Sequence, residues 1–161
     1  MQTAAATLAG NAWGAKDRNR IRDLTRMILP IEVLLMVLSG GLLYIFAPGM
    51  MTLFTKDQQV ILLGTVVLRM VAVTEPFYGV SIIIEGMMQG MGKTLTPFAF
   101  NIAGMWGIRI VGTFICTQLL SMGLVSAWAC MIAHNLMLFA AFVYLCVSGK
   151  YMPKEKIKGV A

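Results

Sequence analysis

Six ionisable side chains sit inside the long apolar stretches of this chain: Glu32, Arg69, Glu75, Glu85, Arg109 and His134. A charge surrounded by hydrocarbon is expensive, and a sequence that keeps one marks a route for ions or solutes by default. Depth sorts the six. If the stretches are membrane-crossing helices, a rise of 1.5 Å per residue puts Glu75, Arg109 and His134 each roughly 20 Å from one membrane face. Three groups from three helices at one depth predict a shared interior site, with Glu75 paired to Arg109 or His134. A carboxyl there can take up a proton or a cation, and its neighbours set the balance. The bland alternative is a permanent ion pair that only ties helices together. Pro76, beside Glu75, favours the first reading, because it weakens the helix and frees a backbone carbonyl. Tyr78 lies one turn on and can line the same pocket.

The other groups read more modestly. Glu85 lies roughly 5 Å from its helix end and is either an inner gate or a solvated interfacial acid. Arg69 is placed to snorkel at the outer interface. Glu32, one turn into the first apolar stretch and near Arg26, reads as interfacial. His134 is the only histidine, a hydrogen-bonded core residue or a proton carrier. Asn101 and Asn135 read as interhelical glue. Met87, Met88 and Met91 either line an inner mouth or fill space.

Gly92, Lys93 and Thr94 spell the end of a phosphate-binding loop. That loop needs a glycine five places before Gly92 and a buried strand in front of it. Met87 occupies the place, and a long apolar stretch precedes it. The glycines instead suit a helix end, with Gly90 and Gly92 as capping residues, and Gly86 with Gly90 allows another helix to approach closely.

These groups must be positioned by helices in a bilayer. The 161 residues are 58% hydrophobic and 12% charged, whereas soluble domains carry about 25% charge. Four apolar stretches, 27–47, 60–88, 98–118 and 124–147, each reach the about 20 residues a crossing needs. The fold class is therefore all-α: a polytopic bundle of four transmembrane helices after an N-terminal partial helix. Residues 1–26 form the end of a truncated helix and a basic amphipathic segment on the membrane surface. Residues 27–147 form the transmembrane region, and 148–161 a basic tail, mobile from Pro153. Pro48 and Gly49 close the first helix, Asp57 caps the second, and Thr96 caps the third with Pro97 at its first position. Ser121 to Gly123 form a tight turn into the fourth.

Ten lysines and arginines flank one side of the spans, against Lys56 alone on the other. That asymmetry places the N-terminal segment, the Lys93 loop and the C-terminal tail in the cytoplasm, with the chain in the cell's inner membrane. The basic residues flank spans, so nucleic acid is not an expected partner. Cys116, Cys130 and Cys146 have no metal or disulfide spacing and read as small apolar residues. No nucleophile–base pair, metal set or cofactor loop is legible, so neither an enzyme nor a cofactor is expected.

Larger patterns agree. The segment LRMVAVTEPFYGVSIIIEGMMQGMGKTLTP resembles a pattern of the multidrug and toxic compound extrusion (MATE) antiporters. There a helix carries an Arg, then an acid or amide before Pro, and ends in a glycine-rich turn. Arg69, Glu75, Pro76, Gly86, Gly90, Gly92, Lys93, Thr94 and Pro97 match. LAGNAWGAKDRNRIR, GMWGIRI and GLVSAWACMIAHN resemble further segments of the same family in the same order. The resemblance implies a secondary transporter that exchanges cationic or amphipathic organic compounds for protons or sodium ions. Acids on the equivalent helix serve cation coupling in the family, which points to Glu75. The family has twelve spans in two lobes, and this chain resembles the eighth helix's end through the twelfth. Its implied partners are membrane lipid, small organic cations and an N-terminal lobe, in the same full-length chain or another. Two alternatives stand: a lipid-linked precursor flippase of the wider superfamily, and a non-transporting membrane fragment or scaffold.

Overall fold

The computed structural model describes residues 1–119 and 123–153, and every regular element in them is helical. Helix α1 (Gln2–Gly14) ends at a turn where Lys16 takes a left-handed φ of 58°. Asp17 then caps α2 (Arg18–Phe54), its side chain accepting from the Arg20 N–H at 2.9 Å. The basic segment is thus continuous with the first span and does not lie apart from it on the membrane surface, because a side-chain cap at Asp17 starts the helix nine residues before the apolar run. Nor does Pro48 end α2, which continues to Phe54. Hydrocarbon offers a backbone no alternative partner, so a membrane helix absorbs a proline that would end a soluble one. The carbonyl that Pro48 leaves without an N–H is that of Tyr44, four residues back. The Arg69 Nε reaches it at 3.5 Å, with its guanidinium carbon 5.0 Å from the Tyr44 ring centre. Arg69 is a fastener between two helices.

Helix α3 (Gln58–Gly90) is capped by Asp57, which accepts from the Gln59 N–H at 2.9 Å. Its far end is a glycine stop, as the sequence predicts. Gly92 has φ +79°, its N–H donates to the Gln89 carbonyl at 2.9 Å, and the Lys93 N–H donates to Met88 at 2.8 Å. These two bonds satisfy carbonyls that the helix end would orphan. Helix α4 starts at Leu95, contains a π-helical stretch at Met105–Ile110 and ends in a second one at Ile115–Leu119. Its start follows Thr94, so Thr96 is no cap and Pro97 is the third helical residue. First-turn N–H groups have no partner within a helix, so proline is accepted there as readily as at the first position. Helix α5 (Leu124–Val147) stops before Gly149, whose φ is +68°. Ser121 and Met122 of the expected turn, and residues 154–161 of the tail, lie outside the described residues.

Helices α2 to α5 are long and apolar enough to cross a membrane, with mean hydropathies of 1.4 to 2.1. The central element is α3, which packs against α1, α2 and α5. Helix α2 runs antiparallel along α3 and touches otherwise only α1, while α4 packs chiefly on α5. The core gathers at the Lys93 end: Ala5, Ala9, Ile21, Ile83, Met87, Met88, Phe142 and Tyr151 are sealed there. Met87, Met88 and Met91 are therefore core filler and line no mouth. Gly86 and Gly90 admit α1 against backbone: a Cβ on Gly90 would stand 2.0 Å from the Ala6 carbonyl oxygen, and one on Gly86 2.9 Å from that of Gln2. Tyr151 and Met152 of the tail fold back into this core, the Tyr151 hydroxyl 3.3 Å from the Thr25 Oγ1. Lys93 Nζ meets the Lys150 carbonyl, so both basic loops share one end of the bundle.

Candidate functional site

Four polar residues of α3 form a stripe along one face. Glu75, Tyr78, Glu85 and Gln89 stand at offsets of 0, 3, 10 and 14, which at 3.6 residues per turn fall within about 80° of one another. Glu75 is half-buried on the flank that faces α2, its Cβ 3.6 Å from where a Cβ on Gly40 would stand. Among the described residues its carboxyl has no hydrogen bond and no ion pair. Tyr78 is 41% exposed. Towards the Lys93 end, the Glu85 Oε1 accepts from Gln89 Nε2 at 2.9 Å and from Asn101 Nδ2 of α4 at 3.0 Å. Asn101 thus ties α3 to α4 through Glu85 and keeps a second bond to the Pro97 carbonyl at 3.1 Å. Away from the stripe, Phe77 packs edge-on against Phe139 of α5 at 5.1 Å between centroids.

Two backbone features sharpen the Glu75 region. Pro76 removes the N–H that would bond the Ala72 carbonyl. That carbonyl oxygen lies against Gly40, where a Cβ would stand only 2.7 Å away. A helix without a side chain at Gly40 can therefore close on the freed carbonyl. On the other flank of this seam a cavity of about 430 Å³ is lined by Gly41, Tyr44, Val73 and Pro76.

Arg109 and His134 are elsewhere. Arg109, on the first π stretch of α4, lines a cavity of about 220 Å³ with Thr113, Trp128 and Met131. His134 is buried between α5 and α4, and a Cβ on Gly104 would stand 3.2 Å from its Cε1. Its Nδ1 is buried without a hydrogen-bond partner among the described residues. The expected pairing of Glu75 with Arg109 or His134 is not formed. Equal depth does not give equal azimuth, and a π turn adds a residue per turn, which rotates everything after it. The same α4–α5 contact places the sulfurs of Cys116 and Cys130 3.9 Å apart as free thiols.

Sequence reasoning missed Glu32. Its side chain is 1% exposed, sealed between α2 and α3. A Cβ on Gly79 would stand 3.3 Å from the Glu32 Cγ and 3.5 Å from Oε1, while Oε2 is buried with no hydrogen bond. Gly79 lies eleven residues before the end of α3 at Gly90, roughly 16 Å along the axis. Glu32 is therefore deep and not interfacial. The available signal was Gly79 itself, a gap in α3 that an acid on its antiparallel neighbour can fill.

Comparison with known proteins follows the same lines. The model of the MatE family matches residues 1–115. A probable multidrug resistance protein NorM of Thermotoga maritima is 23% identical over 163 residues, 98% of this chain and 35% of that protein. A probable multidrug resistance protein YoeA of Bacillus subtilis is 22% identical over 129 residues, 78% of this chain and 27% of that protein. The chain thus spans about a third of the length of these curated relatives.

Proposed function

The chain belongs to the MatE family, and from that premise we propose that it forms part of a secondary transporter that expels cationic or amphipathic organic compounds in exchange for protons or sodium ions. The observation that carries this reading is the stripe on α3. A membrane-crossing helix presents two carboxyls, a phenol and an amide along one face, and the acid nearest the middle has no fixed partner. An intramembrane acid without a permanent counter-charge is suited to hold a cation and release it. In this reading Glu75 couples the ion, Tyr78 contacts the organic cation through its ring face, and Glu85 with Asn101 gates the Lys93 end. The names of the relatives speak of multidrug resistance, which suits promiscuous amphipathic substrates. The remaining spans of the transporter, in the full-length parent or another chain, supply the opposite wall of the path. The shared position of the Lys93 and Lys150 loops supports a cytoplasmic location for that end, in the inner membrane.

The test is dye and drug efflux from cells that carry the full-length parent. Glu75→Gln is expected to lower efflux tenfold or more and to abolish its dependence on the proton or sodium gradient. Efflux that keeps both its rate and its ion dependence in that variant removes Glu75 from coupling.

A further inference from the structure

Among the described residues Glu32 is the one buried carboxyl. Its Oε2 is buried and takes no hydrogen bond from any described residue. An isolated carboxylate in such a place costs many kcal/mol, so native structures do not keep one without a compensating positive charge. The Gly79 position lies within van der Waals reach of both the Glu32 side chain and the Met36 Cγ, and neither Gly79 nor Met36 offers a donor side chain. The seal is made by α2 and α3 themselves, so water or a further helix reaches Oε2 only if those two helices part. An alkali ion would need a cage of oxygens in the same place. A proton needs only the carboxyl.

We propose that Glu32 is a proton-carrying site closed within the α2–α3 seam, separate from Glu75. The helices also carry the means to open it. Pro30 lies two residues before Glu32 on α2, and Pro76 three residues before Gly79 on α3. Each removes a backbone hydrogen bond from its ladder, so both helices bend most easily beside the carboxyl. When the seam parts, the O–H meets water, the proton leaves, and the charged carboxylate opposes reclosure until a proton returns. Proton binding at Glu32 and closure of α2 on α3 are thus one equilibrium. The inference stands on this seam alone and does not rest on the efflux reading or on Glu75.

Infrared spectroscopy of the chain in lipid nanodiscs at neutral pH tests it, with sodium-22 retention measured on the same samples. The expected result is one carboxylic-acid carbonyl band that persists in Glu75→Gln, disappears in Glu32→Gln and moves in Glu32→Asp. The aspartate variant keeps the experiment decisive if the glutamine variant does not insert, because a band that stays unmoved in Glu32→Asp belongs to another group and overturns the proposal. Absence of any such band in the wild-type chain overturns it as well. Stoichiometric sodium retention that vanishes in Glu32→Gln, without an acid band, also overturns it and makes the seam a sodium site.

Discussion

The two sides of α3 are built to different plans. Towards α2 the contact holds Glu32 and Glu75, with Arg69 engaged on the Tyr44 carbonyl; α3 backbone meets Gly40, and α2 side chains fill the gap at Gly79. On the α4–α5 side Arg109 and His134 form no ion pair with a described acid, between helices that meet through flexible side chains such as Met137 and Cys130. Segregated charge teaches something that a paired cluster would not. A Glu–Arg pair at one site would neutralise itself permanently, whereas Glu32 and Glu75 have no ion-pair partner among the described residues. The α4–α5 contact holds no such unpaired acid and can serve as scaffold.

That contrast can be broken most forcefully at Glu32. Glu32→Lys puts a cation with no acceptor into the sealed seam, an error that costs about 3–5 kcal/mol when a buried charge is left alone. The expected outcome is loss of monodisperse protein in detergent, and a folded, monodisperse variant by size-exclusion chromatography would show the seam to be open. Next is Gly40→Ile, whose side chain meets the Ala72 carbonyl. Overpacking of this kind costs about 1–3 kcal/mol, visible as a lowered thermal unfolding midpoint. Gly41→Ile, where a Cβ meets nothing within 4 Å, is the control and leaves the midpoint in place. Equal loss in both would mean that the seam is not the tight contact.

The third comparison uses activity. In the full-length parent, Arg109→Gln is expected to keep drug efflux within about twofold, against the tenfold loss expected for Glu75→Gln; a tenfold ratio corresponds to about 1.4 kcal/mol. Matching losses in the two variants would rejoin the two sides into one site. The smallest effect belongs to Tyr151, which links the sides at the Lys93 end through its contact with Thr25. Burial holds the Tyr151 phenol above its usual value of 10.0, although the Thr25 contact works against this. The folded state then keeps the proton longer than the unfolded one, so the stability from this group is whole below about pH 10 and declines as pH rises beyond it. Tyr151→Phe is expected to cost about 0.5–1 kcal/mol at neutral pH and to flatten the alkaline decline in thermal stability.

Much of the fold was legible because it is local. Asp57 before an apolar run is a cap whatever surrounds it, and Gly92 after one is a stop. Gly86 and Gly90 announced a close neighbour, and α1 is there. The misreadings came from features that depend on context. Pro48 looked like an end because the rule for proline assumes that water stands ready to receive the broken backbone, and in a bilayer Arg69 takes that part. Glu32 looked shallow because its depth was counted from the first apolar residue, while the helix begins at Arg18. Arg109 looked like a partner for Glu75 because depth can be counted along a sequence and azimuth cannot, least of all across a π stretch. The candidate stripe was half visible: Glu75, Tyr78 and Glu85 were named from spacing, but the bond from Asn101 to Glu85 needed the packing of α4.

The contact of Gly90 with Ala6 also has a timetable. The two positions are 84 residues apart, from 6 to 90, and a ribosome adds about 5–20 residues per second. Helix α1 therefore exists for about 4–17 s before the surface that fits its alanine face has been made. During that interval α1 must be held by the insertion machinery, by α2 or by another part of the membrane protein. A substitution at Gly90 would thus show itself first as a biogenesis defect, in chains degraded young, before any mature protein could be measured.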